Sequence, residues 1–127
     1  MRFEDKTRSR QRLKDAEEFL DSAFDNLNKE RFKAALIDAG DCAIAANDAF
    51  TVFMIEEKAS MDHREAVKLH KKAGQKISEN KVRILQSLLE LRHKEGYRST
   101  AVGKNLARTA VMDAEIFLRW AKEKIKH

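Results

Sequence analysis

Three side chains in one short stretch, Arg92, His93 and Tyr97, have the chemistry to bind a phosphate or to move a proton. They lie within Leu91-Arg92-His93-Lys94-Glu95-Gly96-Tyr97-Arg98-Ser99, which the hydrophobic pattern places at the end of a helix. Arginine offers a planar fork of donors that matches phosphate, and histidine is the side-chain type that titrates near neutrality. On an unbroken helix Arg92 and Tyr97 stand about 140° apart and share no site. A left-handed stop at Gly96 removes that obstacle, because the turn brings Tyr97 back beside Arg92. Lys94 and Arg98 add positive charge for a nucleic acid or nucleotide. The plainer reading of the same residues is structural: Arg92 pairs with a carboxylate of the first or second helix, and Tyr97 packs as the apolar end of the cap.

The other reactive residue types form no recognisable centre. Four histidines are present, His63, His70, His93 and His127. His63 and His70 are two helical turns apart, about 10 Å of rise, too far to share a metal ion. The spacing reads His70 as a solvated helix residue and His63 as part of the first turn after a cap. Glu17, Glu18, Glu30, Glu56 and Glu57 have no histidine three residues on, so the paired Glu-x-x-His pattern of two-iron bundles is missing. There is no phosphate loop, no Gly-x-Gly-x-x-Gly and no signature of Ser/His/Asp catalysis. Neither a metal nor a cofactor is expected. The single cysteine, Cys42, forms no internal disulfide, which suits a reducing cytosol.

These residues must be positioned by helices. The chain has 127 residues, no proline and four glycines, with 43% hydrophobic and 37% charged residues. Hairpin-rich β folds need turn residues that this composition lacks, and its Ala, Leu, Lys, Glu and Arg favour long helices. No apolar run approaches the ~18 residues of a membrane span, and the charged first residues lack the apolar centre of a secretory signal. The expectation is a cytoplasmic, all-α chain forming one domain over residues 1–127.

Apolar periodicity divides it into five helices. The first spans about Asp5 to Asn28, with a stripe of Leu13, Ala16, Leu20, Ala23, Phe24 and Leu27. Asn28-Lys29-Glu30 connects it to a central helix from about Arg31 to Lys58. The central helix carries a wide face of small and aromatic residues, where Gly40 signals close approach of a neighbour. Ser60-Met61-Asp62 breaks the pattern. Asp62 caps a short third helix, His63 to Ala73, with Glu65 completing a capping box and Gly74 as a left-handed stop. The fourth helix opens at Ser78 or Glu79. The fifth runs from Ser99 or Thr100 to about Ile125. Four of these are long enough for an up-and-down four-helix bundle, and the remaining short helix is an addition to it.

The net charge of +5 conceals a segregation: residues 1–14 sum to +4, residues 15–62 to −8 and residues 63–127 to +9. Two readings follow. The last third could present a basic face to nucleic acid, or oppositely charged helices could simply attract one another.

Taken in order, several stretches resemble the HEPN superfamily, in particular its short stand-alone prokaryotic members. They are Ala16-Glu-Glu-Phe-Leu-Asp-Ser-Ala-Phe-Asp-Asn-Leu27, Arg31-Phe-Lys-Ala-Ala-Leu36, Asp62-His63-Arg64-Glu65-Ala66-Val67, Leu91-Arg92…Tyr97 and Ala114-Glu115-Ile116-Phe117-Leu118. The resemblance implies a bundle of four or five helices that dimerises, with residues 91–98 near the two-fold axis. It also implies RNA or a nucleotide as ligand, and a minimal nucleotidyltransferase as partner in a toxin–antitoxin-type pair. Many such proteins are metal-independent ribonucleases whose motif is an arginine, an adjacent polar residue and a histidine four to six residues further on. Arg92 and His93 match the first two elements, but Tyr97 stands where the histidine is due. A tyrosine hydroxyl, with a pKa of about 10, is a poor general base at pH 7. General acid–base groups contribute ~100- to 10,000-fold, so the resemblance implies a binding protein that is catalytically weak or inactive. The alternatives are an active ribonuclease using Arg92 and His93, and a structural interaction bundle without catalysis.

Overall fold

The computed structural model describes residues 2–60 and 62–126; Met61, within the expected break, and His127 lie outside the described residues. The order of elements is β1 (Arg2–Phe3), a 3-10 turn (Lys6–Arg8), α1 (Ser9–Asn28), α2 (Phe32–Ile55), β2 (Glu57–Lys58), α3 (His63–Gln75), α4 (Val82–Gly96) and α5 (Lys104–Lys124). The fold is the all-α bundle expected, with one two-residue antiparallel pairing added, Arg2 opposite Lys58 and Phe3 opposite Glu57.

α2 is the centre of the bundle and packs against all four other helices. Ala35, Leu36, Ala39, Ala43, Ala46, Ala49 and Phe50 are buried along it. Five alanines in that set leave little side chain between backbones, so neighbouring helices approach closely and bury apolar surface at about 25 cal/mol per Å². The expected stripes of α1 and α5 face this core, with Ala16, Ala23, Ala110, Val111, Ala114, Phe117 and Ala121 fully buried.

The helix ends depart from expectation. α1 begins at Ser9, after the 3-10 turn, and not at about Asp5; it ends at Asn28 as expected, and beyond its Lys29 cap Glu30 takes the left-handed conformation (φ 59°). The Arg31 N–H then donates to the Asn26 carbonyl at 2.8 Å, closing a Schellman turn without glycine. α2 stops at Ile55, short of Lys58, because left-handed Glu56 diverts the chain into β2. There the N-terminal segment fastens it: the Glu4 N–H donates to the Glu56 carbonyl at 2.9 Å, and Arg12 grips the Glu4 carboxylate through two bonds of 2.7 and 2.9 Å.

Asp62 caps α3, accepting from the Arg64 N–H at 2.8 Å. The Asp62 carboxylate also takes a backbone hydrogen bond from Glu65, and the Glu65 carboxylate accepts from the Ser60 N–H at 2.9 Å, which pins the turn before the helix. Neither Gly74 nor Gly96 is a left-handed stop; no glycine has a positive φ. Gly74 is helical, the left-handed residue is Ser78 (φ 53°), and the Glu79 N–H returns to the Gly74 carbonyl at 3.1 Å. A Cβ at Gly74 would lie 2.5 Å from the Glu79 carbonyl oxygen, so the glycine is required where the chain folds back over the helix. Because Ser78 lies in that turn, α4 starts at Val82 and not at Ser78 or Glu79. α5 starts at Lys104 and not at Ser99 or Thr100; buried Val102 anchors the non-helical stretch before it.

His70 is not solvated. It is completely buried, with ring centroids of Phe50, Trp120 and Phe117 at 5.3, 5.5 and 5.6 Å. Its Nε2 accepts from the Lys81 N–H at 2.9 Å, which leaves Nδ1 as donor to the Asn47 Oδ1 at 2.9 Å. Burial pushes this imidazole down to about 4. The helical pattern could not separate a buried histidine from an exposed one, because its partners come from α2 and from the turn before α4.

Candidate functional site

Arg92 lies on α4 where α4 crosses α2. A Cβ at Gly40 would sit 2.5, 2.7 and 2.8 Å from the Arg92 Cδ, Cβ and Cγ, so the absent side chain creates the channel in which the arginine stem runs. At its end the Arg92 Nε donates to the Asp41 Oδ1 at 2.8 Å. Asp41 is only a quarter exposed. Burial raises its pKa, and the attraction of Arg92 opposes that rise without cancelling it. The structural reading is therefore right about Arg92, which pairs with a carboxylate of the second helix.

Tyr97 is another matter. It is 65% exposed and does not pack as the apolar end of a cap. Its ring lies over the guanidinium, with 5.4 Å between the Arg92 Cζ and the ring centroid. α4 stays helical through Gly96, and Tyr97 occupies the C-cap position with φ −107° and ψ 1°. The juxtaposition of Arg92 and Tyr97 arises this way and not through a left-handed glycine. Gly96 serves close packing instead, since a Cβ there would lie 2.9 Å from the Ile37 Cγ1.

Arg92, Asp41, Asp48, His63, Lys58 and Arg2 line one groove, of about 590 Å³, within the roughly 300–1,000 Å³ of ligand clefts. The β1–β2 strap thus places two cations, Arg2 and Lys58, on the same groove as Arg92. Asp48 is nearly buried; burial pushes its carboxyl up to about 6, against the pull of Lys58 and Arg12.

His93, one residue along α4 from Arg92, lines an adjacent groove together with Lys94, Glu90, Val67 and His63. His63 lines both grooves. Its ring stands edge-on to that of His93, with centroids 6.0 Å apart at 87°. Burial lowers the His63 pKa, and the positive charges of His93 and Arg92 lower it further against the opposing Asp62. Arg98 lines neither groove, and its carbonyl accepts a hydrogen bond from the Lys33 Nζ. Among the described residues, no three His, Cys, Asp or Glu side chains converge as metal ligands would.

Two of the five residues expected at the site, Arg92 and Tyr97, are brought into contact. His93 and Lys94 lie next door, and Arg98 stands apart. Asp41, Asp48 and His63 were not singled out as site residues from the sequence. His63 lies 29 positions before Arg92, and only the packing of α3 on α4 joins them.

Residues 9–125 match the family model of the HEPN domain. The chain belongs to the HEPN family. Domains of this family generally bind or cut RNA, and no curated protein matches this one. In this HEPN protein the two charge blocks meet at specific points, Arg92 with Asp41 at 2.8 Å, Lys122 with Glu17 at 3.0 Å and Lys72 with Glu57 at 3.0 Å. Part of the segregation is thus consumed within the fold. Among the described residues, no helix is long and apolar enough to cross a membrane.

Proposed function

We propose that this HEPN chain binds RNA, with a backbone phosphate on Arg92 and a base against Tyr97. The observation that carries this reading is the pairing itself: a guanidinium fixed at Nε by Asp41 beneath an exposed aromatic ring. Among the described residues its Nη groups have no hydrogen-bonding partner, and those are the donors that suit phosphate. Base stacking on an aromatic side chain contributes about 1–3 kcal/mol. Arg2 and Lys58 supply further positive charge along the groove. A phenol hydroxyl is a poor general base at pH 7, so the Arg92–Tyr97 pair holds RNA and does not itself cleave it. A free nucleotide offers the same two groups but fewer phosphates.

The test is fluorescence anisotropy of a labelled single-stranded RNA over a range of salt, with mononucleotide as competitor. Affinity should fall steeply with salt, and Arg92→Ala should lower the log–log salt slope by about 1. Binding unchanged in Arg92→Ala refutes the reading. Complete displacement by mononucleotide at similar concentration makes the ligand a nucleotide.

Membership of the family supports two larger-scale proposals. One is a symmetric homodimer with residues 91–98 near its axis, which light scattering at tens of micromolar checks; a monomer contradicts it. The other is a minimal nucleotidyltransferase partner in a toxin–antitoxin-type pair, checked by co-purification with the product of a neighbouring nucleotidyltransferase gene.

A further inference from the structure

Polar side chains buried around α2 are spent on partners, as buried polar groups ordinarily are. The Asn47 amide donates to the Ala66 carbonyl at 3.2 Å, and its Oδ1 meets the His70 Nδ1 at 2.9 Å. The Thr51 hydroxyl donates to the Asp48 carbonyl at 3.4 Å. The Asp48 side chain differs. It is only 7% exposed, yet among the described residues no hydrogen bond or ion pair reaches its carboxylate, and Lys58 and Arg12 act on it through charge alone. Its oxygens are not sealed in the core; they open on the groove that Arg92 also lines. A buried carboxylate without donors is costly, and a ligand that donates to both oxygens relieves that cost. Asp48 lies seven residues beyond Asp41 on α2, two turns and about 10 Å of rise from the ion pair that holds Arg92. Ile44, Leu85 and Leu89 give the same groove apolar walls, and Arg2 and Lys58 give it positive charge.

We propose that this groove takes a guanine base, with the Asp48 carboxylate accepting from its N1–H and its 2-amino group while the adjoining phosphate lies on Arg92. The proposal rests on the RNA-binding reading above and names the base that site prefers. An ionised carboxylate offers two acceptors and no donor. Burial pushes the Asp48 carboxyl up to about 6, which leaves it ionised at pH 7. Of the four RNA bases, guanine is the one with two adjacent donors on its Watson–Crick edge. Adenine and cytosine set a ring-nitrogen acceptor beside their amino group, and uracil flanks its one N–H with carbonyl oxygens. Each of these three turns an acceptor towards the second Asp48 oxygen. The flat faces of a purine suit apolar walls, and bases splayed out of single-stranded RNA are read on such edges. A groove of about 590 Å³ has room for a nucleoside. A cationic ligand suits a lone carboxylate too, but Arg2, Lys58 and Arg92 on the same groove repel a cation and attract a phosphate. With the phosphate on Arg92, the base on one side of it stacks on Tyr97 and the base on the other side reaches Asp48.

The experiment measures fluorescence anisotropy at pH 7 for labelled oligouridylate and for the same strand carrying one guanine, adenine, cytosine or hypoxanthine, with GMP and AMP as competitors. The guanine strand should bind at least ~10-fold more tightly than the others, since each of them lacks a hydrogen bond to the charged carboxylate. Hypoxanthine lacks only the 2-amino group, so that comparison needs no change to the protein. Asp48→Asn, with folding checked by circular dichroism, should lose the preference for GMP and turn to xanthosine monophosphate, whose 2-carbonyl accepts from the new amide N–H. Oligouridylate binding with no gain from guanine overturns the guanine site and leaves the RNA-binding reading standing. Binding of none of the strands overturns both. A guanine preference that persists in Asp48→Asn overturns the assignment to Asp48. Where the preference holds, GMP that competes as well as the guanine strand identifies a free guanine nucleotide as the source, and a strand that binds far more tightly than GMP identifies RNA.

Discussion

Arg92 is held by three residues of different kinds: Gly40 by having no side chain, Asp41 by a 2.8 Å hydrogen bond, and Tyr97 by lying over the charge at 5.4 Å. A cation–π contact at an exposed ring contributes only about 0.5–1 kcal/mol, so the ion pair and the stem channel position the arginine, and Tyr97 remains available to a ligand. Gly40→Ala tests this at a distance from any ligand. The added methyl meets the Arg92 Cβ and Cγ, and overpacking of this kind costs about 1–3 kcal/mol, more than the ~1 kcal/mol gained in helix propensity. The variant should melt at a lower temperature and bind RNA more weakly; unchanged affinity would show that the channel does not position Arg92. The sequence made Arg92 and Tyr97 legible as a pair because a helix end lay between them. It made Gly40 legible as a close-packing residue without saying what approached it. His63 and Asp41 were hidden because each joins the site through helix packing. His70 was misread because periodicity does not report what the neighbouring helices contribute.

The helices themselves were the most legible feature, since in α1, α2 and α5 apolar residues recur over five or more turns and leave few alternatives. Their ends were the least legible. Three left-handed stops fall on Glu30, Glu56 and Ser78, residues that do not advertise the conformation, while Gly74 and Gly96 serve close approach. The β1–β2 pairing is two residues long, too short for a period of two to register. Gly74→Ala separates the two roles of glycine. Its Cβ would meet a backbone oxygen at 2.5 Å, which cannot rotate away as a side chain could, so the variant should lose about 1–3 kcal/mol in a denaturant melt. A gain in stability, as helix propensity alone would give, would contradict the packing of the 74–79 turn.

At the scale of the whole molecule two buried groups set opposing pH dependences. His70 has a folded pKa of about 4 against 6.5. Its contribution is whole above pH 6.5 and is lost as the pH falls to 4, because the unfolded ring binds the proton first; the loss is about 3 kcal/mol. Asp48 runs the other way, with a folded pKa of about 6 against 3.8. The folded state binds the proton first, so stability is gained as the pH falls through that window, again by about 3 kcal/mol. The two largely offset in the native chain. Asp48→Asn removes the gain, and between pH 7 and pH 4 its stability should fall by about 3 kcal/mol more than that of the native chain. Parallel curves from urea melts would contradict the burial of Asp48. The charge segregation likewise reads differently in the assembled bundle: acidic and basic blocks meet at Arg92–Asp41, Lys122–Glu17 and Lys72–Glu57, and the groove beside α4 keeps Arg2, Lys58 and Arg92. The central claim is that RNA occupies this groove. An NMR titration of the labelled chain with a single-stranded RNA tests it most directly. Shifts concentrated at Asp41, Lys58, His63, Arg92 and Tyr97, and absent in Arg92→Ala, are the predicted result. Shifts confined to the outer faces of α1 and α5, with residues 91–98 undisturbed, would contradict it.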